Sequence, residues 1–270
     1  KTNKLNRRSK NAKFPGSSKR INKRDSDLKV IKKQLEKQNG ILEKNIDERT
    51  KELKLTQEVT IKSLAVLAEI RDNETGMHIY RTKNYVRILA EHLKGHPRFS
   101  SHLNETTIEL IVNSAPLHDM GKVGISDNIL MKPGRLTKEE FQEMKKHTTY
   151  GRDAILKTEK TMGTNSFLRF AKEIAHSHHE KWDGSGYPEG LAGEEIPICA
   201  RLMAIADIYD ALMSKRHYKD AFTHEEAVRI ITVGDGRTMP GHFDPDVLQA
   251  FKRLHHNFKE IHLEFLDRDE

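Results

Sequence analysis

Cysteine is nearly missing from this chain. Cys199 alone, among 270 residues, excludes an internal disulfide framework and a thiolate metal cage, and suits a reducing compartment. No uninterrupted apolar run is long enough to span a bilayer, and the opening KTNKLNRRSK lacks the apolar core of a secretory signal. Cytoplasm is therefore the expected compartment, with no membrane partner for the body, although a tether carried by preceding chain stays open. Sustained period-two alternation bounded by turns is absent, so no sheet is expected and the fold class is read as all-α. Acidic residues are missing from the first 24 positions, which hold ten Lys or Arg. Aromatics are missing there too, apart from Phe14, so this basic stretch is read as a solvated linker and nucleic acid is not an expected partner.

The charge that is present is unevenly spread. Although the chain carries a formal +7, the 37 basic residues outside that stretch face 40 acidic ones, leaving residues 25–270 at about −3. Residues 1–25, punctuated by Pro15, Gly16, Ser17 and Ser18, are expected to be a basic disordered tail or linker. Residues 26–60 carry Leu28, Ile31, Leu35 and Leu42 in steps of three and four, with polar Gln38 filling one seam position, then Ile46, Arg49 and Leu53 after a phase slip, the stripe of a helical coiled coil. Such a narrow stripe needs another helix; its own copy in a parallel homodimer is expected, with packing back on the domain as the alternative.

The apolar face broadens at TIKSLAVLAEI, so a globular domain is placed at 61–270. Helices are expected near 77–94, 105–117, 137–157, 165–179, 200–213, 223–233 and 245–258. Thr137 and Thr223 each precede a Glu by three residues, the capping-box pattern, and Pro245 suits a first helical turn. Two long glycine- and proline-rich connections, 121–136 and 183–199, are the expected places for binding function.

Along these helices, residues suited to holding metal recur. Glu74 and His78 are four apart; His118 and Asp119 are adjacent; His147 follows in KKHTTYG; His178 and His179 are tandem; Asp207 lies in ADIYDAL. The donor set is nitrogen and hard oxygen without sulfur. The stretches NETGMHIYR, HDMGK, KKHTTYG, HHEKWDGSGYP and ADIYDALMSKRHYK, in this order across most of 61–258, resemble the HD-GYP family of cyclic dinucleotide phosphodiesterases, a branch of the HD metal-dependent phosphohydrolases.

That resemblance implies a helical phosphohydrolase domain in which Glu74, His78, His118, Asp119, His147, His178, His179 and Asp207 ligate two or three divalent metals, with Asp119 bridging. A glutamate at position 74 goes with the three-metal form. Lys122 is implied to contact the scissile phosphate, Arg216 and Lys219 to hold phosphate, and Tyr187 to line the nucleotide pocket. Iron or manganese are the expected metals, with zinc or nickel acceptable to the same donors. The implied reaction is hydrolysis of cyclic di-GMP to pGpG, with onward cleavage to GMP left open, the metals acidifying water while they and Lys122 neutralise phosphoryl charge. Two rivals are a hydrolase of another cyclic dinucleotide, such as cyclic GMP-AMP, and a non-hydrolysing cyclic dinucleotide sensor.

Residues 26–60 also resemble the helical linker that joins receiver domains to such modules, so a sensory or receiver domain upstream is expected. Asp210 is read as orienting a neighbour rather than ligating, and Trp182 as packing. His92, His96, His102, His176, His217, His224, His242, His255, His256 and His262 are read as packed or surface histidines, with His176 the nearest to the site.

Overall fold

The computed structural model describes residues 15–71, 77–163, 165–214 and 221–266. Among them there is no strand, only an isolated antiparallel bridge between Asp183 and Ala192, in keeping with the all-α expectation. The chain divides into two units, Lys1–Gln57 and Glu58–Glu270. No helix of the described residues is long and apolar enough to cross a membrane.

The smaller unit is the greater part of helix α1 (Pro15–Glu69). It begins at Pro15, inside the stretch expected to be a disordered tail. Lys and Arg favour helix nearly as well as leucine, so the apolar stripe was not needed to start one. The seam residues Leu35 and Leu42 are each 56% exposed, and Leu28, Ile31, Ile46 and Leu53 are exposed as well. Solvent-facing pairs such as Lys32–Glu36, Lys44–Glu48 and Asp47–Lys51 lace the polar faces, each worth only a few tenths of a kcal/mol.

The larger unit holds the end of α1 followed by α2 (Met77–Leu93), α3 (Glu105–Ser114), α4 (Asp127–Leu130), α5 (Lys138–Met162), α6 (Ser166–Ser177), α7 (Ile198–Met213), α8 (His224–Thr232) and α9 (Pro245–Leu266). Its main core is built by α2, α3, α7, α8 and α9 around Tyr85, Tyr209, Phe251 and Phe258. The Tyr85 and Phe258 rings stack 4.4 Å apart, and Tyr209 meets Phe258 edge-on at 5.1 Å. Large side chains buried this completely contribute about 1.5–3 kcal/mol each. A smaller cluster joins Ile61 of α1 to Leu117, Ile155, Ala171 and Ala175.

The expected capping boxes are present. Thr137 and Thr223 each accept from the backbone N–H of the Glu three residues on, and that Glu reaches back. Helix α9 starts at Pro245. It runs beyond the expected end near 258 because Phe258, His262 and Phe265 continue its buried face, with Phe265 stacking 5.7 Å from Tyr80 of α2. Helix α5 likewise reaches Met162, where buried Glu159 accepts from Lys172 of α6 at 2.7 Å. The helix expected over 105–117 instead tightens after Ser114 into a 3-10 turn at Ala115–Leu117, since Pro116 has no N–H to continue the α ladder. Trp182 is flanked by the guanidinium groups of Arg98 and Arg201, each 5.4 Å from its ring centre.

Candidate metal centre

His118 and Asp119 sit in the short break between the 3-10 turn Ala115–Leu117 and a second one, Met120–Gly124. What brings them onto α5 is Gly121. A Cβ there would lie 1.8 Å from the His147 carbonyl oxygen and 2.5 Å from the Gly151 nitrogen, so only glycine lets the turn touch the helix. His147 is supplied by that same stretch of α5, His178 and His179 by the end of α6, His78 by α2 and Asp207 by α7.

Two groups result. Asp119, His147, His178 and His179 bring one ligand atom each within 4.8 Å of one another, as do His78, His118 and Asp207. The His78 and His118 Nε2 atoms, 3.2 Å apart, face each other in the second group, and His118 Nε2 lies 3.4 Å from Asp119 Oδ2. Asp119 thus belongs to both neighbourhoods: its Oδ1 is 3.2 Å from His147 Nε2 and 3.5 Å from His178 Nε2.

The tautomers follow from the partners. A carbonyl or an ionised carboxylate can only accept, so the ring nitrogen beside it must carry the proton. His118 Nδ1 donates to the Ala115 carbonyl at 3.0 Å, His147 Nδ1 to Met144 at 2.8 Å, His178 Nδ1 to Ile174 at 3.0 Å, and His78 Nδ1 to Asp210 Oδ2 at 2.8 Å. In the neutral rings every Nε2 therefore presents a lone pair. His147 Nε2, His178 Nε2 and Asp119 Oδ1 are then three acceptors within 3.5 Å of one another with no proton between them, and Asp119 Oδ1 is buried without a hydrogen-bond donor. Mutual repulsion of this kind is relieved by a cation. The donor chemistry and the orphaned oxygen both fit divalent metal.

Electrostatics keep these side chains in forms suited to metal. Burial pushes the Asp119 carboxyl upward, but Lys122, whose ammonium is 2.7 Å from Oδ2, and His118 together hold it well below the usual carboxylate range. Burial lowers His147 to about 4, and lowers His179 well below the ordinary imidazole value with help from His178 and His147.

Asp210 occupies the orienting place expected of it. It accepts from His78 and, through both oxygens, from Arg81 at 2.7 and 2.9 Å. Arg81 was not foreseen; its signal was a charged residue on the buried face of α2, three positions after His78.

Tyr187 stands beside the first group, its ring 4.7 Å from that of His179 and 6.4 Å from that of His147. Its peptide N–H donates to the His179 carbonyl at 3.2 Å. Gly186 permits this, since a Cβ would come within 2.3 Å of the Lys181 nitrogen. Glu180, also unforeseen, anchors the loop by accepting from the backbone N–H groups of Glu189 and Leu191 at 2.8 and 3.1 Å. The ammonium of Lys145 lies 5.1 Å from the Tyr187 ring centre.

Of the residues singled out in the sequence, His78, His118, Asp119, His147, His178, His179, Asp207, Lys122 and Tyr187 come together, whereas Glu74, Arg216 and Lys219 lie outside the described residues. His176 faces Arg152 and Glu189, each at 3.2 Å, and belongs to neither group. A third gathering, His224, His255 and His256, lies on α8 and α9.

The family model described as HD domain matches residues 64–247. A cyclic di-GMP phosphodiesterase of Vibrio cholerae serotype O1 is 54% identical over 216 residues, covering 80% of this chain and 43% of the relative. A probable cyclic di-GMP phosphodiesterase of the same organism is 47% identical over 249 residues, 92% of this chain and 54% of the relative. A 3'3'-cGAMP-specific phosphodiesterase, also from that organism, is 42% identical over 198 residues, 73% of this chain and 35% of its own. The chain thus spans about half the length, or less, of these curated relatives.

Proposed function

This chain belongs to the HD domain family, in its HD-GYP branch, and from that premise we propose that it is a metal-dependent phosphodiesterase that hydrolyses cyclic di-GMP to linear pGpG, and pGpG onward to GMP. The observation that carries the proposal is the set of proton-free acceptors around Asp119, His147 and His178, which has little purpose without a cation. Bound divalent metal would supply Lewis acidity that acidifies water and withdraws charge from phosphoryl oxygens.

The protein's own contribution is placement. His147, His178 and His179 would hold one ion and His78, His118 and Asp207 another, with Asp119 bridging through its two oxygens and Glu74 available to a third. Iron or manganese suits this mixture of imidazole and carboxylate. Lys122 brings a positive charge to the edge of the centre, where it is suited to meet the scissile phosphate as negative charge builds on it. The Tyr187 ring offers a flat face to a guanine base, and Arg216 and Lys219 are proposed to hold the phosphates. The exposed seam of residues 26–60 is proposed to pair with its own copy and to relay the state of a sensory or receiver domain upstream.

The substrate is supported by what the first two relatives are named for, and its rival, cyclic GMP-AMP, by the name of the third. Protein prepared without oxygen, loaded with iron or manganese and given both dinucleotides in competition under reducing conditions, is expected to consume cyclic di-GMP first and release pGpG. Cyclic di-GMP left intact would overturn the proposal; tight binding without turnover would make the chain a sensor. Replacing Leu35 and Leu42 by Glu is expected to lower the sedimentation coefficient toward that of a monomer.

A further inference from the structure

His224 opens α8, and His255 and His256 lie side by side on α9. Although His224 is 31 residues from His255 in the chain, its Nε2 is 3.0 Å from His255 Nδ1, and all three imidazoles bring a ligand nitrogen within 4.8 Å of one another. We propose that His224, His255 and His256 form a second metal site, sharing no ligand with the HD centre, which takes a borderline divalent cation of the zinc class and clips α8 to α9.

The site is built rather than accidental. His224 is 5% exposed, and its Nδ1 lies 2.8 Å from the hydroxyl oxygen of Tyr209, a residue with no exposed surface. Tyr209 is itself locked by edge-on contacts with Phe251 and Phe258. In the tautomer that carries its proton on Nδ1 and donates it to that hydroxyl, the His224 ring aims an Nε2 lone pair at α9, as an outer partner arranges for an imidazole that binds metal. Two nitrogens bound about 2.0–2.1 Å from a tetrahedral zinc stand roughly 3.3 Å apart, so the observed 3.0 Å needs little adjustment.

The donor set decides the metal class. The neighbouring carboxylates are engaged elsewhere: Glu225 with Lys259 at 3.2 Å, and Glu226 in the Thr223 capping box. Three uncharged imidazoles without an acid select zinc, nickel or copper over magnesium or manganese. His256 is exposed and His255 half-buried, so the rest of the coordination sphere is left to water.

The test titrates zinc ions alone into chelator-stripped full chain, for wild type, for His255→Asn/His256→Asn, and for an HD-centre variant, Asp119→Asn/His147→Asn. Bound zinc is counted by elemental analysis after gel filtration. The histidine pair variant is expected to bind one zinc fewer than wild type, and the HD-centre variant to keep that ion. Tyr209→Phe, which preserves the ring but removes the hydroxyl, is expected to weaken the ion's affinity about tenfold. His256→Asn alone changes an exposed side chain, so it decides the matter by a loss of affinity even if the double variant folds poorly. Equal zinc content and affinity in wild type, His256→Asn and the pair variant would overturn the proposal.

Discussion

The HD centre and the α8–α9 junction both gather histidines, yet they are assembled by different means. In the centre, four imidazoles have their Nδ1 protons committed to a carbonyl or to Asp210, and carboxylates bring negative charge among the exposed lone pairs. At the junction one ring, His224, is fixed by a core hydroxyl, its partners are more open to solvent, and no carboxylate takes part. Fixed acceptors with added charge suit hard or intermediate ions and chemistry at phosphorus; neutral nitrogen donors on two packed helices suit a borderline ion and a structural task.

The contrast breaks most sharply at Asp119. Replacement by Asn removes the carboxylate charge that faces both groups, and the proposed turnover of cyclic di-GMP is expected to fall by about 10³-fold, with metal lost from the centre and zinc retained at the junction. Product chromatography and metal analysis read both. Asp210→Asn strikes one layer out, withdrawing the carboxylate charge shared by His78 and Arg81. It is expected to lower metal affinity at the centre about tenfold or more and to cost about 3 kcal/mol in denaturant unfolding.

Gly121→Ala tests the seating of the turn instead of its ligands. With a methyl group forced against the His147 carbonyl, a loss of about 2–3 kcal/mol and displacement of Asp119 from His147 are expected, visible as reduced thermal stability with reduced metal content. The smallest change belongs to the junction. Thr223→Ala removes the hydroxyl that caps α8 and should cost about 1 kcal/mol, leaving phosphodiesterase turnover untouched in an assay at saturating substrate.

Helix starts were the most legible part of the fold, since Thr137, Thr223 and Pro245 act through residues within one turn of themselves. Where packing sets the length, the pattern fell short: α9 continues past 258 on a face that includes a histidine, which reads as polar until it is seen buried. The histidines and aspartates that gather into the two groups could be singled out because each lies in a distinctive stretch of several residues. Arg81 and Glu180 were not, because their importance lies in what they hold across the fold, Asp210 in one case and a loop backbone in the other. His224 was read as an ordinary packed or surface histidine for the same reason, its partners lying on another helix.

By itself the sequence determined most of the helical segments of the larger unit, the helix starts at Thr137, Thr223 and Pro245, and which acids and imidazoles are available, because periodicity, capping and donor type are properties of near neighbours. Only the tertiary structure decided which nitrogen of each imidazole is left bare, that Asp119 turns one oxygen to each ligand group, and that three histidines read as ordinary meet between α8 and α9. Those outcomes depend on the packing of helices remote in sequence, and a contact across the fold leaves no mark on the spacing along the chain.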